Sequence, residues 1–467
     1  MEALMASIER LLIANRGEIA VRIARSAHRL GIGTVGVYSE PDANALHADS
    51  VDVAVALGGA TPAESYLRGD AVIQAALDNG ADAVHPGYGF LAENAAFAQA
   101  VIDAGLIWVG PTPEQITLLG DKVAAKRAAV EAGVPTTAIH EVVAGEVPDG
   151  IAMPALVKAA AGGGGRGMRV VRTSDELVEA LTAASREAES AFGDGTVFVE
   201  PFIERGRHVE VQIIGDEHGN VVHLGERECS IQRRNQKVVE ESPSAGISDE
   251  VRTALCDGAL ALARHVGYRN AGTFEFLVGD DGTITFLEVN TRLQVEHPVT
   301  EAVTGLDLVE LQLSVASGEP LPVSQDDIAV DGHAIEVRIV AEDPAADWLP
   351  STGRVEHFEV GEGVRVDTGV RAGTVISADY DSLLAKVIAH APTLAGAARQ
   401  LARALRTSEI IGVRTDVDML VATLGEADFL AAATPTAYLA EHADVLAPEG
   451  PTGDDRVALL LGAVFTA

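Results

Sequence analysis

Five polar residues, Glu288, Asn290, Arg292, Gln294 and Glu296, recur at two-residue spacing within FLEVNTRLQVEHPVTE, directly after an apolar run. In an extended chain alternate side chains share a face, so this row would present two carboxylates, two amides and a guanidinium to one cavity. That set suits a metal ion beside a phosphate or small anion. TFEFLV (273–278) and TITFLEVN (283–290) flank Asp281-Gly282, a favoured two-residue hairpin loop because it accepts positive φ. With 280 opposite 283, the count sets Glu275 directly across from Glu288. Like charges so placed repel unless neutralised, and hard carboxylate oxygens on a rigid hairpin suit Mg²⁺. The plainer reading, solvated acids on an exposed ribbon, fits poorly with strands that also carry Phe274, Phe276, Leu277, Phe286, Leu287 and Val289.

Cationic positions stand out against an acidic background. Net charge is -35, which argues against a nucleic acid or an anionic membrane as partner. The 34 basic residues include only five lysines, at 122, 126, 158, 237 and 386. An ammonium is a compact point charge that Arg replaces poorly, so Lys122, Lys158 and Lys237, each in a polar or glycine-rich context, are candidate anion ligands. Lys158 precedes a glycine run containing Gly163, Gly164, Gly165 and Gly167, with Met168 after it. Such a loop brings backbone N–H groups around a phosphate, although a bare linker has the same composition. No Gly-Lys-Ser/Thr follows, so it is not a Walker A loop. The run from Arg227 to Lys237, RECSIQRRNQK, reads equally as an anion site or a solvated face.

The elements that must position these residues follow from periodicity. Strand RLLIAN, a helix from Gly17, strand TVGVYS, helices at 70–79 and 92–104, and strands ADAVH and LIWVG alternate as in a doubly wound parallel sheet. Gly31, Gly33 and Gly36 match a dinucleotide fingerprint literally, but the helix precedes the strand, the wrong order. A helix from Asp121-Lys122 to about 132 leads to an α+β lid: strand PALVKAA, the glycine loop, strand MRVVRT, a helix capped by Ser174 and strand VFVEPFI. Strands HVEVQIIGD and NVVHLGEREC, the hairpin and a helix at 304–316 come next. The last third mixes strands (HAIEVRIVAE, GRVEHFEV, TVISAD, LLAKVIAH) with a helix near 393–405.

The 467 residues, 47% hydrophobic, lack an apolar stretch of membrane-spanning length and a signal-peptide pattern, and carry only Cys229 and Cys256. The expectation is a soluble, cytoplasmic protein in a reducing compartment. From about Pro448 the composition turns to Pro, Gly and Asp, followed by RVALLLGAVF, as if a further region began.

In one order, ANRGEIAVR, HPGYGFLAEN, LGDK, KAAAGGGGRGMRVV, RHVEVQI, RECSIQRRNQKVVEE, FLEVNTRLQVEHPVTE and GHAIEVRI resemble biotin carboxylase, of the ATP-grasp superfamily, from residue 8 to about 445. The resemblance implies an α/β ATP-grasp fold, divided into an N-terminal domain (1–118), linker helix and lid (119–205), core with C-terminal domain (206–446) and a following region (447–467). It implies ATP contacts at Lys122, Lys158, the glycine loop, Met168, the hinge from Glu200 to Ile203, His208 and Gln232. Glu275, Glu288 and Asn290 resemble ligands of Mg²⁺ or Mn²⁺. Lys237, Arg292, Gln294 and the Val295 backbone resemble a bicarbonate pocket, Glu296 the general base, and Arg338 the group that stabilises a biotin enolate. Three departures are Pro201, where a Lys is frequent, Asn235, where His is frequent, and Ala161, where a fifth glycine occurs in some. No Met-Lys biotin attachment pair occurs, so the expected partners are a biotin carboxyl carrier domain, a carboxyltransferase (beta) subunit and further copies of the chain. A carboxylate–amine ligase of the same superfamily is the enzymatic rival, and a non-catalytic ATP-binding module the other.

Overall fold

The computed structural model describes residues 8–142, 150–160 and 168–448. The first strands, β1 (Arg10–Ile13), β2 (Gly33–Tyr38), β3 (Val53–Ala56), β4 (Ala83–His85) and β5 (Ile107–Trp108), form a parallel sheet in the order β3-β2-β1-β4-β5. The helix Gly17–Arg29 crosses over from β1 to β2 and buries Ile19, Ala20, Ile23, Ala24 and Ala27. Gly33 and Gly36 lie within β2, after that helix, which bears out the rejection of a dinucleotide loop.

A second, antiparallel sheet has the order β6-β9-β7-β8, from β6 (His140–Glu141), β7 (Ala155–Ala159), β8 (Arg169–Val171) and β9 (Val197–Pro201). The helix Leu177–Phe192 packs on it through Leu177, Leu181 and Ala184 against Val157, Val171 and Val199. Its entry differs from expectation: Thr173, not Ser174, forms the capping box with Glu176, ahead of a short 3₁₀ turn. The glycines 163, 164, 165 and 167 lie outside the described residues. Pro201 ends β9, where a missing N–H costs the sheet nothing.

The largest sheet, antiparallel throughout, runs β14-β13-β10-β11-β12-β15-β17-β16. Its strands are β10 (Gly206–Gly215), β11 (Val221–Arg233), β12 (Gln236–Ser242), β13 (Asn270–Gly279), β14 (Ile284–Asn290), β15 (His333–Val340), β16 (Arg365–Thr368) and β17 (Leu383–Ala391). The helices Lys122–Glu131 and Asp249–His265 cover one face of β10, β13 and β14, burying Val209, Val211, Phe274, Phe276 and Phe286. At the other end Leu394–Arg406 and Val417–Gly425 cover β15 and β17.

Three expectations need correction. The helix Asp249–His265 was not anticipated. The helix expected at 304–316 starts only at Leu308 and runs to Ala316, and a separate helix, His297–Thr304, precedes it and ends at Gly305 with φ +71. The segments GRVEHFEV and TVISAD yield only strand pieces of two or three residues. Among the described residues no helix is long and apolar enough to cross a membrane.

Candidate active site

The hairpin β13–β14 sets Glu275 opposite Glu288 as expected, by a different route. Gly279 N donates to Thr283 O at 2.9 Å and Gly282 takes φ +80, so the loop holds one residue more than Asp-Gly alone. A bulge that leaves Leu287 unpaired then restores the register. The polar row does not continue as a strand. β14 ends at Asn290, and the next peptide is held elsewhere, Thr291 N donating to Glu93 Oε1 at 3.1 Å. Glu296 reaches the same cavity from the N-cap of helix His297–Thr304, where a helix N-terminus favours a carboxylate.

Strand pairing builds a second row across the sheet. Arg227, Glu210, Glu275 and Glu288 are directly opposed from β11 through β10 and β13 to β14. Three neighbouring carboxylates need cations to stay ionised together. Arg227, fully buried, donates from Nε to Glu210 at 2.6 Å, from Nη1 to Gln212 (2.8 Å) and Thr300 (3.0 Å), and from Nη2 to Thr273 (3.1 Å) and Gln294 (3.3 Å). Lys237 donates to Glu210, to Glu275 at 3.0 Å and to Glu296 at 2.6 Å. Lys122 Nζ lies 3.4 Å from Glu288.

Glu275 is the most heavily contacted of the three. It accepts from Asn290 (2.8 Å) and Gln294 (2.9 Å), and His208 Nε2 lies 2.9 Å from its other oxygen. Gln232 in turn lies 2.8 Å from His208 Nδ1. Arg292 donates to Glu93 at 2.9 Å and to Asn290 at 3.0 Å. The Val295 carbonyl accepts from buried Lys386 at 2.8 Å. Arg338 reaches Glu296 at 3.0 Å.

Charge states follow from these contacts. Burial would raise the Glu296 carboxyl, but Lys237, Arg338 and Arg227 overcome it and hold the group well below the ordinary carboxylate range. Glu275 is likewise held far down, Lys237 and His208 outweighing burial. Burial works against the Lys237 ammonium, yet Glu210, Glu275 and Glu296 keep it charged well above its usual range. At neutral pH Glu296 is therefore an ionised acceptor between two cations.

Lys122, Lys158, Met168, Glu200, Ile203, His208, Gln232, Lys237, Glu275, Glu288, Asn290, Arg292, Gln294, Val295, Glu296 and Arg338 all line one cavity of about 620 Å³. Every described residue to which the resemblance gives a role is there. Glu200 is not an open hinge group in this arrangement. It is 2% exposed and accepts from Lys126, from Lys158 at 2.6 Å and from Thr137 at 2.6 Å.

Ligand atoms cluster within 4.8 Å in two groups among the described residues: His208, Glu210 and Glu275, and Glu210, Cys229 and Glu296. The fold brings Cys229 beside two carboxylates. Burial drives its thiol well up, so it stays protonated and a poor ligand. Glu275 and Glu288, with the Asn290 amide, form a hard oxygen set on one face, contacted by ammonium, imidazole, amide and guanidinium groups. That set fits Mg²⁺ or Mn²⁺.

Comparison with known proteins matches this geometry to a family. Residues 7–116 match the biotin carboxylase N-terminal domain, 121–324 the ATP binding domain of carbamoyl-phosphate synthase L chain, and 336–441 the biotin carboxylase C-terminal domain. The biotin-dependent acyl-coenzyme A carboxylase alpha3 subunit of Mycobacterium leprae is 51% identical over 418 residues, 87% of this chain and 69% of that one. The chain belongs to the biotin carboxylase family. Members are ATP-dependent ligases, and the fold is the ATP-grasp fold. Human mitochondrial pyruvate carboxylase is 48% identical over 453 residues, but the chain spans only 38% of that protein's length. The biotin carboxylase domain of the Hydrogenobacter thermophilus 2-oxoglutarate carboxylase, a dimer solved with magnesium ADP, ADP and bicarbonate, superposes with a TM-score of 0.92. It is 43% identical and covers 95% of this chain and 100% of that one.

Some members of the biotin carboxylase site were not nominated from sequence. Lys126 lies one helical turn beyond Lys122 and was visible as one of five lysines. Glu210 stands in the alternating polar group His208, Glu210 and Gln212, which the sequence shows without giving Glu210 a role. Glu93 lies within HPGYGFLAEN, but nothing near it in sequence points to Arg292.

Proposed function

We propose that the chain is the biotin carboxylase component of a biotin-dependent acyl-CoA carboxylase, which uses ATP and bicarbonate to carboxylate biotin borne on a carrier domain. The observation that carries this reading is Glu296, ionised between Lys237 and Arg338 in the cavity that also holds the opposed carboxylates Glu275 and Glu288. Lys122 and Lys158 serve the ATP phosphates, with the glycine loop at 163–167 and Met168, while Glu200 to Ile203, His208 and Gln232 serve the nucleoside. Glu275, Glu288 and Asn290 would hold the Mg²⁺ or Mn²⁺ ion, which when bound would neutralise phosphate charge.

Bicarbonate lies among Lys237, Arg292, Gln294 and the Val295 backbone. Glu296 takes the bicarbonate proton, and the freed oxygen attacks the γ-phosphorus of ATP. One P–O bond forms as the bond to the β-phosphate oxygen breaks, giving carboxyphosphate and ADP. Positioning and charge neutralisation supply most of the acceleration. Carboxyphosphate separates into CO₂ and phosphate, phosphate removes the N1′ proton of biotin, and N1′ bonds to CO₂. Arg338 offsets the charge that develops on the ureido oxygen.

The acceptor favoured is an acyl-CoA, supported by the 51% identity to the Mycobacterium leprae subunit. A pyruvate carboxylase module is the second reading, supported by the 48% identity to the human protein; a urea carboxylase module has the same chemistry. A carboxyltransferase subunit, a second copy of the chain and a cytoplasmic setting complete the proposal. The test is ATP turnover. It should require bicarbonate and rise with biotin, and Glu296→Ala or Arg338→Gln should lower carboxylation by on the order of a hundredfold while nucleotide binding persists. Turnover dependent on an amine such as glutamate or glycine would replace this reading with that of a carboxylate–amine ligase.

A further inference from the structure

Arg338 lines two cavities at once: the one above, and a second of about 600 Å³ bordered by Tyr88, Trp348 and Tyr380. Its guanidinium is gripped along one edge. Nε donates to Glu240 Oε1 at 2.6 Å, and Nη2 lies 2.5 Å from that same oxygen and 3.0 Å from Glu296. Nη1 donates to no group among the described residues. An arginine fork held along one edge keeps its remaining donor at a fixed angle.

Glu240 comes from β12, is 0% exposed and lines neither cavity. Directly opposite on β15 is Glu336, also 0% exposed, neither of whose carboxyl oxygens has a hydrogen-bond partner. Burial holds Glu336 protonated far above the ordinary range, so it does not compete for the guanidinium. Burial also pushes Glu240 up to about 7, with Arg338 as the main opposing charge. A fully buried carboxyl group set against one arginine is a costly feature in a sheet interior.

We propose that Glu240 is a positioning residue for Arg338: it occupies the Nε edge of the guanidinium so that Nη1 is left, at a set orientation, for the acceptor that meets carboxyphosphate between the two cavities. This rests on the role assigned to Arg338 in the functional reading. Without Glu240, the nearest carboxylate is Glu296, which would draw the fork toward the base and away from the acceptor.

The test is a double-mutant cycle on the full chain, with biotin-dependent carboxylation as the readout and the thermal midpoint followed in parallel. Glu240→Gln, which keeps the shape and loses the charge, should lower kcat for carboxylation by about tenfold or more, whereas adding it to Arg338→Gln should change the residual rate less than about twofold. A residue that acted only on packing would lower the rate by the same factor in both backgrounds, and that result would overturn the inference. Should Glu240→Gln fold poorly, Glu240→Asp keeps the charge on a shorter arm and must show the same dependence on Arg338. A wild-type chain with no biotin-dependent turnover would overturn the functional reading and this inference together. Wild-type turnover with an unaffected Glu240→Gln overturns the inference alone.

Discussion

Glu200 concentrates a conflict that one residue must resolve. Burial opposes its charge, yet Lys158 and Lys126 hold the carboxyl down to about 2, and both lysines depend on it in return. Lys126 is 2% and Lys158 8% exposed, so removal of Glu200 leaves two ammonium groups buried without the carboxylate that pairs with them directly, the charges of Glu288 and Glu275 remaining. Glu200→Ala should therefore destabilise the protein by about 3–5 kcal/mol in urea unfolding. The pH sign is fixed by the direction of the shift. A carboxyl depressed in the folded state contributes fully above its ordinary 4.5 and loses that contribution as pH falls toward 2. The stability gap between wild type and Glu200→Gln should shrink between pH 5 and pH 3. A gap that stays constant across that window would show that the carboxylate charge is not what stabilises this cluster.

At the scale of elements, the hairpin β11–β12 carries Gln232 opposite Lys237 and turns through Arg234 and Asn235, at φ +48 and +65. Two left-handed residues in succession make the tight turn whose twist matches the flanking strands. Asn tolerates that conformation and a β-branched residue does not, so Asn235→Val should cost about 1–2 kcal/mol and Asn235→Gly nothing or less. Equal thermal midpoints for the Val and Gly variants would contradict the turn assignment. The same scale separates what was legible from what was not. Alternation of apolar and polar residues revealed most strands, and the Asp-Gly signal led to Glu275 opposite Glu288, although only because a longer loop and the bulge at Leu287 cancel. The helix Asp249–His265 had ordinary signals in its Ser248 cap, its first-turn acids and its last-turn Arg264 and His265, but Gly258 and flanking strand patterns masked them. Convergence of Arg292, Gln294 and Glu296 after β14 was legible in its outcome and not in its cause. Period-two spacing describes a strand, while the structure uses Glu93 from the N-terminal region and a helix N-cap to deliver the same residues.

At the scale of the whole molecule, Lys386 joins pieces that lie far apart in the chain. It is 0% exposed on β17, lies 3.1 Å from Glu18 at the start of the first helix, and donates to the Val295 carbonyl at 2.8 Å. Arg338 and Asp367 are its register partners on the two neighbouring strands. Tyr88 donates to Glu18, so the N-terminal sheet, the loop before Glu296 and the last third of the large sheet meet at one ammonium. Lys386→Met would keep most of the side-chain volume and remove the charge. Burial already raises the carboxyls of Glu18 and Glu336, against an opposing field from Lys386. With the lysine gone both should bind protons more tightly still. Groups raised in the folded state contribute stability at low pH and lose it as pH rises through their folded values. The variant should accordingly be about 3–5 kcal/mol less stable than wild type near pH 8 and recover part of that loss when pH is lowered from 8 to 6, in urea melts at each pH. A deficit that stayed constant across that window would mean that the lysine acts there through packing alone, and that these three regions are not held together by its charge.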